Sequence, residues 1–182
     1  MEKRSLWQFG TREVVFAAIG AALYGVLSWV TNFLALPAAG NLSLRPAVAI
    51  PMFFGIAFGP IVGFLTGAVG NILGDFLSGY GFWWSWDIGN GLMGLIPGLI
   101  YQSITNYKSG SSIFRAELFA ALGVIVGMLF SSLLEIPLSG VDLNTALVGY
   151  FTPSALSNLI NGLILLPILM VAYDAIASRS GR

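Results

Sequence analysis

The sequence predicts an all-α integral membrane protein with six transmembrane helices and cytoplasmic N- and C-termini. Three observations predict it. The 182 residues are 57% hydrophobic and only 9% charged, with a mean hydropathy of +0.86. A soluble domain carries about 25% charged residues, so this chain has too few charges to cover a surface facing water. The apolar residues fall into long runs separated by short breaks, without the alternation of a β-barrel strand. The third observation is the placement of lysine and arginine. An inside N-terminus puts Lys3, Arg4, Arg12, Lys108, Arg115, Arg179 and Arg182 in the cytoplasm, seven of the eight positive residues.

Taken in order, the expected helices cover about 14–36, 46–58, 60–78, 88–105, 116–134 and 146–173, within a single membrane domain, 1–182. A helix needs roughly 20 apolar residues to cross the hydrocarbon core. The run from Val14 to Leu36 meets that length. It exceeds the roughly 7–15 residues of a secretory h-region, although Ala38-Ala39-Gly40 resembles a cleavage site, so a retained helix is expected. Segment 46–58 is short. It is either a tilted span or half of a re-entrant pair broken at Gly59-Pro60, where Pro60 suits the first position of the third helix. Six spans bring both termini to one side, as the charges require. The outer connections are then 37–45, 79–87 and 135–145, and Arg45 is the only outside cation.

Composition also narrows the chemistry. The absence of cysteine removes disulfides and thiolate nucleophiles, and the absence of histidine removes the commonest general base and a common metal ligand. No G-x-x-x-x-G-K-[ST] phosphate loop is present. The net charge of zero gives no nucleic-acid footprint. An aspartyl pair of Asp75 and Asp87 is the only enzymatic alternative left, and the expected loop position of Asp87 speaks against it. No cofactor and no metal are expected. A stand-alone secondary carrier would show internal repeats and charges at mid-helix, and neither is evident. A membrane assembly protein would explain glycine stripes, but not a polar and aromatic cluster outside.

That cluster is SGYGFWWSWDIGNG, residues 78–91. Trp83, Trp84 and Trp86 lie beside Asp87 and Asn90, with glycines at 79, 81, 89 and 91. Rings at the interface commonly form a belt. Glycines and placed polar groups among the rings fit a binding site for a flat organic molecule, with the stretch as its lid or wall. In an extended segment Trp84 and Trp86 would share one face and Trp83 would turn away. Asn41 and Arg45 in the first outer connection, Glu135 in the third and Asn158 in the last helix are the other candidate substrate-binding residues. Arg45 also has a structural reading, as an ion pair with Glu135 or Asp75. Asn71 and Asp75 are four apart and share a helix face. Ala17, Ala18, Ala21, Ala22 and Gly25 in the first helix, and Gly59, Gly63, Gly67, Gly70 and Gly74 around the third, place small residues where another helix can approach.

With these features the chain resembles the substrate-binding S components of energy-coupling factor (ECF) vitamin transporters. The resemblance rests on six helices in this length, on the Ala17–Ala21 and Ala18–Ala22 spacing, and on the run FGIAFGPIVGFLTGAVGNILGDFLSGYGFWWSWDIGNGLMGLIPGLI, which is similar to the riboflavin-type branch. It implies a pocket near the outer surface for a vitamin or vitamin-like precursor, a riboflavin-like heterocycle or a corrinoid. It further implies docking of the first helix, through Ala17, Ala18, Ala21 and Ala22, on a transmembrane coupling subunit driven by two cytoplasmic ATPases. Toppling of the subunit in a prokaryotic plasma membrane would carry the pocket inward.

Overall fold

The structure is a computed structural model that describes residues 5–31, 35–36, 42–43 and 45–179. The described residues form six α-helices. The first, α1 (Thr11–Thr31), starts where Glu13 Oε2 accepts the Gly10 N–H at 2.9 Å. It stops short of the expected Leu36. Residues Ala35–Leu36 instead pair antiparallel with Leu42–Ser43. Leu36 precedes Pro37, whose ring disfavours helical backbone at the residue before it.

A 3-10 turn, Pro46–Val48, leads into α2 (Ala49–Phe58). Together they rise about 21 Å, short of a hydrocarbon core of about 30 Å. Every residue from Ala49 to Ala57 is buried, because α1, α3, α4 and α6 all pack on this helix. The backbone breaks at Gly59, with φ at 108°, and Pro60 opens α3 (Pro60–Ser78) as expected. Gly79, at φ 75°, closes α3: its N–H reaches Phe76 O, and the Tyr80 N–H reaches Asp75 O.

The next helix corrects the sequence reading. α4 spans Trp84–Gly98 and so begins four residues before the expected 88. Trp83 O accepts from the N–H groups of Trp86 and Asp87, which places Trp84, Trp86 and Asp87 in the first turn. The connection is only 79–83, turned by Gly79 and Gly81 at positive φ. Gly89 and Gly91 are not hinges. Gly89 meets Gly127 of α5, and Gly91 meets the Phe64 ring. The expected end at 105 is also replaced, by Gly98 and a 3-10 turn at Tyr101–Ser103.

The fifth helix is longer than its apolar run alone suggests, and the sixth starts and ends six residues later than expected. α5 (Gly110–Ser139) is capped by Ser109, whose Oγ accepts the Ser112 N–H at 3.2 Å, and closes on Gly140 at φ 69°. α6 (Thr152–Arg179) follows a π-helical segment, Thr145–Phe151. Pro153 explains that segment. It has no N–H to give the Gly149 carbonyl in an α-helical register, and wider i→i+5 bonding takes over. Asp142 Oδ1 accepts the Thr145 N–H at 2.6 Å, and this bond holds its exposed carboxyl below the usual carboxylate range.

Four stretches are long and apolar enough to cross a membrane: Thr11–Thr31, Pro60–Ser78, Gly110–Ser139 and Thr145–Ser178. α3 is the hub. A Cβ at Gly63 would overlap the Gly94 carbonyl oxygen of α4, so backbone meets backbone at that crossing. On its other face Gly70 and Gly74 receive Ala21, Tyr24 and Gly25 of α1. Rings close one end of the bundle. Phe16 stacks on Phe58 at 4.1 Å, Tyr173 sets its edge on Phe53 and Phe58, and Tyr107 meets Tyr173 at 5.0 Å. The start of α1, the end of α2, the connection before α5 and the end of α6 therefore share that end. Burial there pushes the Tyr107 phenol above its ordinary value.

Candidate functional site

The opposite end of the bundle holds a buried polar cluster, built where α3 ends and α4 begins. Asn71 and Asp75, one turn apart on α3, both point inward and are 1% and 7% exposed. The Asn71 amide is the centre. Its Oδ1 accepts from Arg45 Nη1 at 2.8 Å, and its Nδ2 donates to Asp75 Oδ2 and to Asp87 Oδ1, each at 2.8 Å. Arg45 Nη2 also reaches Asp75 Oδ1 at 3.5 Å. The structural partner of Arg45 is thus Asp75 and not Glu135. One turn along α4, Asn90 Oδ1 accepts the Tyr24 hydroxyl at 2.6 Å, and Asn90 Nδ2 donates to Trp86 O at 2.8 Å.

The other side of the first α4 turn faces α5. Glu135, 4% exposed, accepts from Trp86 Nε1 at 3.0 Å and Ser85 Oγ at 3.2 Å on one oxygen, and from Ser139 Oγ on the other. Trp86 sets an edge against Tyr150 of the π-helical segment, with centroids 6.4 Å apart. A buried carboxylate this well hydrogen-bonded fixes α4 against α5, and it fixes the Trp86 ring as well.

The predicted site residues therefore separate. Arg45, Asp87 and Asn90 come together in the Asn71 cluster. Trp86 and Glu135 form the neighbouring contact. Trp83 and Trp84 stand outside both, 49% and 42% exposed, with the Trp83 indole N–H donating to Tyr80 O. The pairing of Trp84 with Trp86 on one face is corrected. It assumed extended backbone, and in a helix residues two apart point to nearly opposite sides. Asn158 lies deeper, its amide directed at the sulfurs of Met128 and Met93 at 3.2 and 3.5 Å. Asn41 lies outside the described residues.

The small residues of α1 also divide. Ala17, Ala21 and Gly25 are buried, and Ala21 and Gly25 sit against α3 of the same chain. Ala18 and Ala22 are exposed, among Val15, Ile19, Val26 and Trp29.

Tyr24 and Ser85 complete the clusters without having been singled out in the sequence, and Asn71 and Asp75 were singled out only as a shared helix face and as a partner for Arg45. The four-residue spacing of Asn71 and Asp75 signalled a shared face. Tyr24, fully buried, carried no signal, because a tyrosine in an apolar helix reads as packing.

Known proteins are similar to this sequence. A family model described as ECF-type riboflavin transporter, S component, matches residues 8–175. A UPF0397 protein of Vibrio atlanticus is 42% identical over 98 residues, covering 54% of this chain and 53% of its own length. A UPF0397 protein of Aliivibrio fischeri is 38% identical over 114 residues, covering 63% and 61% respectively. The chain thus spans between half and two thirds of the curated relatives it matches. With the family match running from residue 8 to residue 175, the chain belongs to the ECF-type riboflavin transporter S components.

Proposed function

We propose that this chain captures a riboflavin-like heterocycle at the outer membrane face and delivers it inward as the substrate-specific subunit of an ECF-type importer. The observation that carries this reading is the family match along residues 8–175. The buried polar cluster of Arg45, Asn71, Asp75 and Asp87 supports it, because so many polar groups at one end of an apolar bundle have no packing rationale. Six crossings with both termini cytoplasmic go with this reading. The aromatic end gathers Arg12, Lys108 and Arg115 near the start of α1 and α5, and Arg179 at the end of α6, as the positive-inside rule asks.

Energy then comes from partners: a transmembrane coupling subunit and two cytoplasmic ATPases. Their contact on α1 is the exposed Ala18–Ala22 strip, since Ala17 is buried and α3 occupies Ala21 and Gly25. Toppling of the docked subunit would turn the polar end inward. The test has two arms. Purified protein should retain a small heterocycle identifiable by mass spectrometry. Ala22→Trp should abolish uptake in cells while leaving ligand affinity within about twofold, a change near 0.4 kcal/mol. Unchanged uptake by Ala22→Trp would sink the docking assignment, and a protein that neither retains nor binds any heterocycle would sink the transport reading. Topology is checked separately, since the native chain has no cysteine. A cysteine at Ser111 should resist an impermeant thiol reagent in intact cells, and labelling there would overturn the six-crossing arrangement.

A further inference from the structure

The polar cluster is nearly saturated, and the one group left over says what it binds. Both hydrogens of the Asn71 amide are in use, on Asp75 and Asp87, and its oxygen is held by Arg45. The Asn90 amide is in use on Tyr24 and the Trp86 carbonyl. Glu135 is occupied by Ser85, Trp86 and Ser139. Among the carboxylates of the clusters Asp87 alone retains an unused oxygen; the hydroxyls of Ser28, Thr66 and Ser132 are buried without a partner as well. The Asp87 Oδ2 is buried without a hydrogen-bond partner, in a residue only 3% exposed.

Charge gives the same result independently. Asp75 and Asp87 share one cation, Arg45. Arg12 lies over the Phe16 ring and Lys108 beside Asp174, both at the far end, and Arg115 sits near the start of α5 on that side. One buried carboxylate oxygen therefore lacks a donor, and its carboxylate shares its countercharge with Asp75. An ionised oxygen left so is costly in an apolar bundle, and such cost is commonly retained where a ligand removes it. A carboxylate oxygen accepts and does not donate, so the missing group is a donor. The Asn71 bond to Oδ1 fixes the direction of the vacant oxygen.

We infer that Asp87 Oδ2 is the acceptor for a ring N–H of the transported heterocycle, with Asn71 as its positioning residue. This rests on the transport reading above and narrows it. The substrate class is a heterocycle with a free N–H edge. Compounds that present a carboxylate or an alkylated nitrogen at that edge are rejected. Rejection is strong, because a site built to hydrogen-bond a donor leaves its own acceptor unpaired when the donor is missing.

The experiment uses the full chain in detergent micelles, as wild type and Asp87→Asn. The substitution keeps an oxygen for Asn71 and replaces the vacant oxygen with an amide NH2. Riboflavin and N3-methylriboflavin are titrated into each by quenching of flavin fluorescence, and thermal unfolding is recorded without ligand. Wild type should bind riboflavin at least tenfold more tightly than its N-methyl analogue, and Asp87→Asn should bind the two alike. The ligand-free variant should unfold at a higher temperature than wild type, because it no longer buries an unmatched charge. Equal binding of both flavins by wild type, or discrimination that survives in Asp87→Asn, would overturn the inference and leave flavin binding standing. If neither flavin binds, the flavin reading fails, and the ligand-free comparison decides alone. A variant less stable than wild type would make Asp87 a structural residue and end the proposal.

Discussion

The two ends of the bundle are held together in different ways. At one end Phe16, Phe53, Phe58, Tyr107 and Tyr173 meet through ring faces and edges, and each ring satisfies its neighbours by shape. At the other, Arg45, Asn71, Asp75, Asp87, Asn90 and Tyr24 meet through directed hydrogen bonds. α2 joins them, starting beside Arg45 and ending in the ring cluster at Phe58. Aromatic packing stabilises with little need for atomic exactness. A buried polar cluster is stabilising only if complete, and this one is complete except for one oxygen. The difference fits the proposal that the aromatic end serves the fold and the polar end a ligand.

Substitutions sharpen that comparison, and they fall in order of size. Phe53→Ala removes a ring that touches Phe54, Phe58 and Tyr173. It should cost about 3 kcal/mol of stability and leave ligand affinity unchanged, as read by thermal unfolding beside flavin titration. Asn71→Ala frees two carboxylates and the Arg45 contact at once. A loss of about 2 kcal/mol is expected, together with loss of ligand binding. Stability that fell without any change in binding would make the polar end as structural as the aromatic one. Trp86→Phe keeps the ring but deletes the bond to Glu135. It should cost about 1 kcal/mol and weaken binding only through the altered start of α4. Trp84→Ala, on an exposed ring, should change stability by less than about 0.5 kcal/mol. A large loss of ligand affinity there would restore the exposed rings to the binding site.

Much of this contrast was legible in the sequence, and its failures have physical causes. Apolar runs located every helix, and Gly59-Pro60 marked the α2–α3 break at the right residues. Asn71 and Asp75 were placed on one face by spacing alone. The tryptophan stretch was misread because glycine and aromatic density resembles a loop. The structure spends Gly79 and Gly81 on the turn and Gly89 and Gly91 on helix contacts. Once Trp84 is helical, Asp87 and Asn90, three apart, fall on neighbouring inward positions, whereas Trp84, also three from Asp87, stays exposed as the first residue of the helix. The ends of α5 escaped because its caps, Ser109 and Gly140, lie beyond the apolar run. The small-residue stripes of α1 fitted docking and internal packing equally well. Only the path of α3 separates Ala17 and Ala21 from Ala18 and Ala22.

We propose that the polar end recognises a ligand and the aromatic end does not. Equilibrium dialysis of riboflavin against purified wild type, Asn71→Ala and Phe53→Ala, each checked for folding by circular dichroism, tests it most directly. Saturable binding by wild type and Phe53→Ala, absent in Asn71→Ala, is the expected result. Binding that survives in Asn71→Ala but is lost in Phe53→Ala would contradict the claim and move the site to the aromatic end.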